Sequence, residues 1–351
     1  MFRLLAALAL VSIALSGQQD RFDVRALLEL QRIAEPQLSP DGKLVAFTVS
    51  VTDFERNTRP RQIWIVPVEG GEPRQITFTG NNERARWSPD SRRIAFLSSR
   101  GGSTQVWIMD AGGGNAQQVT NMAAGASGVL FSPDGKHLVF TSEVYPECAD
   151  NACNQARLDA EKASKVQARV YTGLLYRHWN EWQTKRRRHI FVVPVAGGAP
   201  KDLTPGNRDV PPFSLGGADD YAISPDGKEL CYVANTDPEP ATSTNSDLFT
   251  VPLEGGEAVR LTSNLAADNA PVYSPDGRYI VGVGFNADTG RFEGWLLDTV
   301  PEPSTLTLLS AGLALLIIVD LIAFWHLLAV SLVTGVVFSF NMPARSAIVP
   351  L

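Results

Sequence analysis

One short phrase, Ser-Pro-Asp-Gly, recurs along this chain and constrains its fold more than any other feature. Its copies, including one variant that ends in serine, occupy Ser39–Gly42, Ser88–Ser91, Ser132–Gly135, Ser224–Gly227 and Ser274–Gly277. Their starts lie 49, 44, 92 and 50 residues apart. Repeats of about 40 to 50 residues are typical of propellers and other repeat architectures. The phrase itself predicts a turn, because proline presets φ and glycine accepts a positive φ.

Short strands are predicted on both sides of each turn. Each phrase is followed by an apolar, mostly β-branched run: Leu44–Val49, Ile94–Ser98, Leu138–Thr141, Leu230–Val233 and Tyr279–Val283. Four units continue with an apolar run, a glycine pair and a short segment ending in threonine: Ile63–Thr77, Val106–Thr120, Ile190–Thr204 and Leu248–Thr262. Such segments are hairpin signatures, and four antiparallel strands per repeat describe a propeller blade. The sequence predicts an all-β fold, an incomplete β-propeller of about four to five four-stranded blades over residues 22–283.

Composition excludes several functional classes. The 351 residues carry 31 basic and 37 acidic side chains, a net charge of −6, so no global basic field attracts nucleic acid. The four histidines and three cysteines show neither a Cys-x-x-Cys pair nor metal-ligand spacing. We therefore predict no metal, no cofactor and no nucleic-acid partner.

The doubled spacing of 92 residues indicates an insertion, 143–188, inside the third blade. Its first half, Asn154–Val170, has the pattern of an amphipathic helix. Its second half, Tyr171–His189, concentrates aromatic, histidine and basic residues, as binding hot spots do. The alternative is structural: Trp179 and Trp182 fold the insertion back onto the blade, and the basic run Lys185–Arg188 forms a solvated turn.

The N-terminus predicts export. Residues 1–17 combine Arg3, an apolar run and small residues near Ser16, which is typical of a cleaved signal peptide. An uncleaved membrane anchor is the alternative. Export implies an oxidising compartment, where Cys148 and Cys153 are close enough in sequence to form a disulfide, with two free thiols as the alternative. Cys231 lies in a predicted strand and is expected to be a buried apolar residue.

The C-terminal region differs in composition from the repeats. Residues 284–305 are expected to form a linker, and residues 306–340 are predominantly apolar. Because about 20 apolar residues span a bilayer, 306–340 predict one long transmembrane helix or two that turn near Asp320, followed by a tail, 341–351. The chain is thus expected on the periplasmic or extracellular face, anchored to the membrane by this segment.

Several motifs carry a family resemblance: Asp23–Gly42, Tyr176–Trp182, Leu203–Phe213, Ser243–Phe249 and Asp268–Gly277. They resemble the N-terminal propeller of prolyl-oligopeptidase-type serine peptidases, especially the dipeptidyl-peptidase V and acylaminoacyl-peptidase-like enzymes. The repeat alone is shared with TolB. In the tail, Val300–Thr305 resembles the PEP-CTERM sorting signal, and Leu332–Leu351 resembles a short segment of a major-facilitator transporter.

The resemblance implies a peptide-binding role. In that family the propeller gates access and binds the peptide N-terminus, while a C-terminal α/β-hydrolase domain carries a Ser-Asp-His triad with a Gly-x-Ser-x-Gly elbow. The present sequence has no such elbow, so we predict no catalytic residue and expect a propeller portion that is inactive alone, from a truncated or fused reading frame.

The resemblance also gives candidate site residues. Glu181 is the candidate to hold a substrate ammonium, since a carboxylate pairs with that group. Its neighbours in the motif complete the candidate site: Tyr176, Arg177, His178, Trp179 and Trp182. The implied partner is a peptide substrate or a protein. The alternative function is a membrane-tethered, TolB-like propeller module that binds a protein or peptide.

Overall fold

A computed structural model describes residues 23–166, 168–213, 217, 220–286 and 289–299. The expected signal peptide 1–17, transmembrane segment 306–340 and tail 341–351 lie outside these residues, as does the Val300–Thr305 motif. Within the described ranges, no helix combines the length and the apolar character needed to cross a bilayer. The chain divides into two compact units, with the division after Gln118.

The first unit contains a short helix and two four-stranded antiparallel sheets. Helix α1 (Val24–Glu29) begins at Asp23, whose carboxylate accepts the backbone N–H of Ala26 at 2.8 Å, a standard N-cap. The first sheet is β1 (Arg32–Leu38), β2 (Leu44–Ser50), β3 (Arg61–Pro67) and β4 (Arg74–Gln75), paired in chain order. The second is β5 (Asn82–Trp87), β6 (Arg93–Ser98), β7 (Gln105–Asp110) and β8 (Gln117–Gln118), paired likewise.

The second unit contains three sheets and the insertion. The third sheet is β9 (Ser127–Phe131), β10 (His137–Val144), β13 (Arg187–Pro194) and β14 (Lys201–Asp202). Between its second and third strands lie helix α2 (Asn151–Ala163) and the hairpin β11 (Arg177–His178) and β12 (Glu181–Trp182). The fourth sheet is β15 (Tyr221–Ile223), β16 (Glu229–Ala234), β17 (Asp247–Pro252) and β18 (Val259–Arg260), with a 3-10 turn at Pro240–Thr242. The fifth is β19 (Asp268–Tyr273), β20 (Tyr279–Asn286) and β21 (Arg291–Asp298).

The repeated phrase closes the first hairpin of every sheet with the same hydrogen bonds. In the third sheet, the hydroxyl of Ser132 donates to the Asp134 carboxylate at 2.5 Å and accepts the backbone N–H of His137 at 2.9 Å. The backbone N–H of Gly135 donates to the Ser132 carbonyl at 2.8 Å, and Gly135 has φ +68°. The serine-to-aspartate bond recurs at 2.5–2.7 Å in all five copies. Each part of the phrase therefore has a defined role in the turn.

The variant copy shows how serine substitutes for the glycine. Ser91 adopts φ +59°, a left-handed conformation that side chains seldom occupy. Its hydroxyl accepts the backbone N–H of Asp41, in the turn of the first sheet, at 3.0 Å. This bond links the two turns and helps to offset the backbone strain.

The threonine that ends each repeat also has a structural role. The hydroxyls of Thr77, Thr204 and Thr262 accept the first backbone N–H groups of the apolar runs, from Ile63, Ile190 and Leu248, at 2.8–3.0 Å. The fourth strand, only two residues long in each case, is thereby joined to the third. These bonds explain why the apolar run and the threonine recur at a fixed separation.

The apolar core lies between successive sheets within each unit. In the first unit, buried side chains of the first sheet, such as Ile63, pack against Ile94 and Phe96 of the second. In the second unit, one cluster joins the third and fourth sheets and another joins the fourth and fifth. Full burial of each such side chain contributes about 1.5–3 kcal/mol to the free energy of unfolding. The predicted four-stranded repeat is confirmed for four sheets.

The insertion is shorter than the predicted 143–188. Val144 pairs with Arg187 and Glu143 with Arg188, so both strands of the third sheet extend into it. Helix α2 also differs from the predicted Asn154–Val170. It begins three residues earlier because Asp150 caps it, and it ends at Ala163. Val166 and Val170, the next apolar residues, are 72% and 86% exposed, so no buried face extends the helix.

The fifth sheet continues beyond Val283, where the sequence predicted a linker. Strand β21 pairs with β20 along its whole length and lies within the predicted 284–305 linker. Strand β20 contains Gly282, inside the predicted run Tyr279–Val283, and Gly284, just after it, which looks like a break in the apolar pattern. A Cβ on Gly282 would overlap the Trp295 indole, and one on Gly284 would lie 2.9 Å from it. The glycines are therefore required for Trp295 of β21 to pack on β20.

Replacing the buried turn serine should destabilise the third sheet. Ser132→Ala removes one bond to Asp134 and one from His137 at a fully buried position, so we expect a loss of about 1–3 kcal/mol in the free energy of unfolding. Urea unfolding followed by tryptophan fluorescence measures this loss. Ser263→Ala, at an exposed serine of the same unit, is the control, and equal midpoints for the two variants would contradict the role of the turn.

The turn aspartates also predict a loss of stability in acid. The Ser132 hydroxyl, and then the Lys136 N–H, hold the pKa of Asp134 below its ordinary value. Serine hydroxyls likewise lower the pKa values at the other turns: Asp41, Asp90, Asp226 and Asp276. Because the folded pKa lies below the unfolded value of about 3.9, this stabilisation is complete above about pH 4 and is lost as pH falls through the folded pKa.

The expected result is a lower urea midpoint at about pH 2.5 than at about pH 4.5. Burial raises the pKa values of Asp209, Asp247 and Asp268. These three groups therefore lower the free energy of unfolding as pH rises, and this effect begins above the unfolded pKa of about 3.9. Asp134→Asn should reduce the fall in midpoint, since the amide does not titrate. An unchanged acid dependence in this variant would show that the turn carboxylate is not responsible.

Candidate functional site

The insertion is held at its base by hydrogen bonds and a disulfide. The side-chain oxygen of Asn154 accepts the backbone N–H of Tyr145 at 2.7 Å. Asn151 accepts from the Ala123 N–H at 2.8 Å and donates to the Asn121 carbonyl at 2.9 Å. The sulfurs of Cys148 and Cys153 lie 1.97 Å apart, as a disulfide bond requires. Cys231 is a buried free thiol. Helix α2 is thus fixed to the loops of the second unit.

The motif Tyr176–Trp182 forms the hairpin β11–β12. Arg177 pairs with Trp182 and His178 with Glu181, and the turn between the strands contains Trp179 at φ +52°. A tryptophan seldom adopts this left-handed conformation, which is concentrated at turns and functional sites. Side chains alternate across an extended strand, so Arg177 and Trp182 lie on one face of the hairpin, and His178 and Glu181 lie on the other.

An aromatic cluster surrounds Trp182, with Tyr176 contributed from just before strand β11. The ring centroids of Tyr171, Tyr176 and Trp182 are separated by 5.6–6.1 Å, which is the range of favourable ring contacts. The Tyr171 hydroxyl donates to the carbonyl of Gln183 at 3.1 Å and holds the cluster against the hairpin. Beside the rings is an open cleft of about 840 Å³, hereafter the aromatic cleft. It is lined by Arg169, Tyr171, Gly173, Leu174, Tyr176 and Trp182.

Two arginines lie over the indole of Trp182. The guanidinium carbons of Arg169 and Arg177 are 5.5 and 5.6 Å from the ring centroid, within the range of cation–π contacts. Neither side chain forms a salt bridge or hydrogen bond with a described residue. Arg186, by contrast, pairs with Glu143 at 2.8 Å. Arg169 lines the cleft and Arg177 does not, so the cleft combines apolar rings with one guanidinium that forms no ion pair with a described residue.

The second face of the hairpin contains the predicted carboxylate. Glu181 is exposed, and its cross-strand neighbour His178 contacts the edge of Phe213 with a centroid distance of 6.2 Å. Trp179 is 83% exposed at the turn. The six predicted residues are thus adjacent in the structure, but they do not form one pocket.

Sequence reasoning missed four residues of this region: Arg169, Tyr171, Leu174 and Phe213. Phe213 belongs to the second family-specific motif, Leu203–Phe213, and its contact with His178 brings the two motifs together. The sequence carried a usable signal for Tyr171, which stands five residues before Tyr176 in the same aromatic-rich stretch. Arg169 carried none, and Leu174, although inside Tyr171–His189, is not one of the residue types that marked this stretch. Only the folded loop places both residues in the same cleft lining as Trp182.

Other chemically suggestive residues have structural roles. The basic run Lys185–Arg188, predicted as either a contact or a solvated turn, ends in strand β13, where the backbone N–H of Arg188 donates to Asp209 at 2.9 Å. His189 is buried, with its two ring nitrogens 2.7 Å from Asp202 and 2.9 Å from the Gly206 carbonyl. Across the described residues, no three His, Cys, Asp or Glu side chains are grouped so that they could hold a metal ion.

Removing the Trp182 ring should loosen the hairpin, whereas removing the Trp179 ring should not. Trp182 contacts two tyrosines and two arginines, while Trp179 is mostly in solvent. We expect Trp182→Ala to increase tryptic cleavage after Arg177 and Lys185 several-fold, as local opening becomes less costly. Mass spectrometry of timed digests measures the rates. Equal cleavage in Trp182→Ala and Trp179→Ala would argue against the cluster as the support of the hairpin.

This chain is similar in sequence to a known propeller family and to several known peptidases. Residues 18–165 match the family model of the TolB beta propeller domain. Dipeptidyl-peptidase 5 of Porphyromonas gingivalis is 32% identical over 269 residues, which cover 74% of this chain and 38% of that protein. Dipeptidyl-peptidase 5 of Trichophyton schoenleinii is 25% identical over 304 residues, or 79% of this chain and 40% of that protein.

The fold comparison shows a similar fold in a solved structure. Acylaminoacyl peptidase of Pyrococcus horikoshii superposes with a TM-score of 0.56 at 15% identity, covering 78% of this chain and 39% of that one. The present chain thus spans about two fifths of the length of the relatives that it matches. Its blades are related to the TolB-type propeller and to the N-terminal propellers of the prolyl-oligopeptidase-type (S9) peptidases.

Proposed function

We propose that this chain provides the peptide-binding and substrate-gating propeller of an exported prolyl-oligopeptidase-type serine peptidase. The observation that supports it most directly is the hairpin Tyr176–Trp182, which presents exposed charged and aromatic side chains. A purely structural insertion would bury its tryptophans, yet Trp179 and Trp182 are 83% and 43% exposed. Exposed aromatic and arginine side chains on a fixed base are the usual composition of a binding hot spot.

Glu181 is the proposed contact for the free ammonium of a peptide. Its carboxylate is exposed on the second face of the hairpin, and no described residue forms a salt bridge with it. An ammonium ion gives a carboxylate a charge-assisted hydrogen bond. Because the site is open to solvent, the expected gain is that of a surface ion pair, about 0.2–1 kcal/mol.

Catalysis is not part of the proposal for this chain by itself. The sequence contains no Gly-x-Ser-x-Gly elbow, so we expect no nucleophile here and no peptide hydrolysis. The relatives' names, dipeptidyl-peptidase and acylaminoacyl peptidase, support peptides as the bound class. The Cys148–Cys153 disulfide supports export, because disulfides persist in oxidising compartments. Anchoring by residues 306–340 rests on their apolar composition.

The missing elbow also favours a second candidate function, a membrane-tethered TolB-like module that binds a protein or peptide without belonging to a peptidase. The match of residues 18–165 to the TolB beta propeller domain supports it. The two candidates share a ligand-binding hairpin and differ in the ligand. A peptidase propeller should bind a peptide with a free N-terminus more tightly than one with a blocked N-terminus. A module that binds folded proteins should show no such preference.

Peptide binding by the full chain, solubilised in mild detergent, tests the proposal. Fluorescence anisotropy should show that a labelled peptide with a free α-amine binds about two- to fivefold more tightly than its N-acetylated form. Glu181→Gln should abolish this preference, and Glu239→Gln, at another exposed glutamate of the second unit, should retain it. If neither peptide binds, the peptidase proposal fails and the protein-binding alternative is favoured. If Glu181→Gln keeps the preference, another group holds the ammonium.

A further inference from the structure

The aromatic cleft and Glu181 occupy opposite faces of the same hairpin, so the carboxylate does not share the cleft with the arginine. On the first face, two guanidinium groups lie within 5.6 Å of the Trp182 ring centroid. The carboxylate nearest in sequence, Glu181, belongs to the second face because side chains alternate along the strand. The positive charge of the cleft thus has no counter-charge within the hairpin.

The positive charge of the arginines over Trp182 is not balanced by a carboxylate on the same face of the hairpin. Two guanidinium groups over one indole concentrate positive charge at this ring, and an anion beside Arg169 would offset it. Guanidinium groups also bind carboxylates through paired hydrogen bonds, which are stronger than neutral ones. Since Arg169 and Arg177 make no salt bridge or hydrogen bond to a described residue, their N–H groups are free to donate to a ligand.

The apolar part of the cleft indicates what accompanies the anion. Leu174 is 67% exposed, and Tyr176 and Trp182 are 44% and 43% exposed, so the wall offers apolar surface to a ligand. The cleft, at about 840 Å³, is large enough for more than one side chain. An inorganic anion would leave these rings in water. A peptide that carries a carboxylate next to an apolar side chain would use both kinds of group.

We propose that the aromatic cleft selects peptides with an aspartate or glutamate next to an apolar residue, the carboxylate being bound by Arg169 of the cleft wall, while Arg177 adds positive charge beside the same indole. This inference rests on the proposed peptide-binding function and adds a substrate class to it. Arginine and stacked aromatic rings also bind single-stranded nucleic acid. The net charge of −6 and the pairing of Arg186 with Glu143 favour the peptide.

Two labelled peptides that differ only in one residue, aspartate or asparagine before a leucine, test the inference on the full chain. Both keep a free α-amine, so the Glu181 contact is the same for each. Anisotropy titration should give about tenfold tighter binding of the aspartate peptide, as for a charge-assisted hydrogen bond. The double variant Arg169→Gln/Arg177→Gln should bind the two peptides equally. Arg56→Gln/Arg59→Gln removes the same charge from exposed arginines elsewhere and should keep the preference.

Each outcome has a distinct meaning. If no peptide binds, the proposed function itself fails. If both peptides bind equally to the wild-type chain, peptide binding stands and the acidic selectivity is wrong. A labelled oligonucleotide that displaces the aspartate peptide at lower concentration would overturn the choice of ligand.

A second measurement covers the case in which the double variant does not fold. On the wild-type chain, raising the salt concentration from about 0.05 to about 0.5 M shortens the Debye length to a few ångströms and should reduce the aspartate preference several-fold. A preference that does not change with salt would contradict an arginine–carboxylate contact.

Discussion

The bond between the serine hydroxyl and the aspartate carboxylate is the interaction on which each sheet depends. At 2.5–2.7 Å it closes the turn in every repeat, while the same serine oxygen accepts a backbone N–H from the start of the next strand. The turn fixes the register of the first hairpin, and register decides which side chains reach the core. Four of the five serines are buried, so these hydroxyls cannot exchange their partners for water.

A fixed register lets one blade carry a long insertion without losing its sheet. Strands β10 and β13 pair over eight residues although helix α2 and the hairpin separate them in sequence. Closing such a loop costs entropy that grows only slowly with its length, so an established sheet tolerates it. The helix is tied by Asn151, Asn154 and the disulfide, and the hairpin beyond it is largely exposed. The insertion is therefore fixed at its base and accessible at its turn.

Local chemistry made part of this structure predictable. The turn phrase and the terminal threonines repeat with their partners at fixed offsets, so four sheets could be predicted from sequence, whereas the sequence left Cys148 and Cys153 as either a disulfide or two free thiols. Features that depend on packing between residues distant in sequence could not be predicted in this way. Strand β21 depends on Trp295 lying over Gly282 and Gly284, and the sequence pattern presents Gly284 as a break. The aromatic cleft depends on Arg169 and Leu174 approaching Trp182 across a loop, and no periodicity reports that approach.

The division of charge in the hairpin follows from two neighbouring residues, Glu181 and Trp182. Because they are adjacent in a strand, the carboxylate and the indole point to opposite faces. The two arginines lie over the indole through cation–π contacts. A carboxylate on the same face would neutralise the arginines internally and leave only an apolar cleft. Instead, each face keeps charge of one sign: two guanidinium groups on one face and one carboxylate on the other. The same backbone alternation that forms the blades thus places a carboxylate on one face of this short element and guanidinium groups on the other.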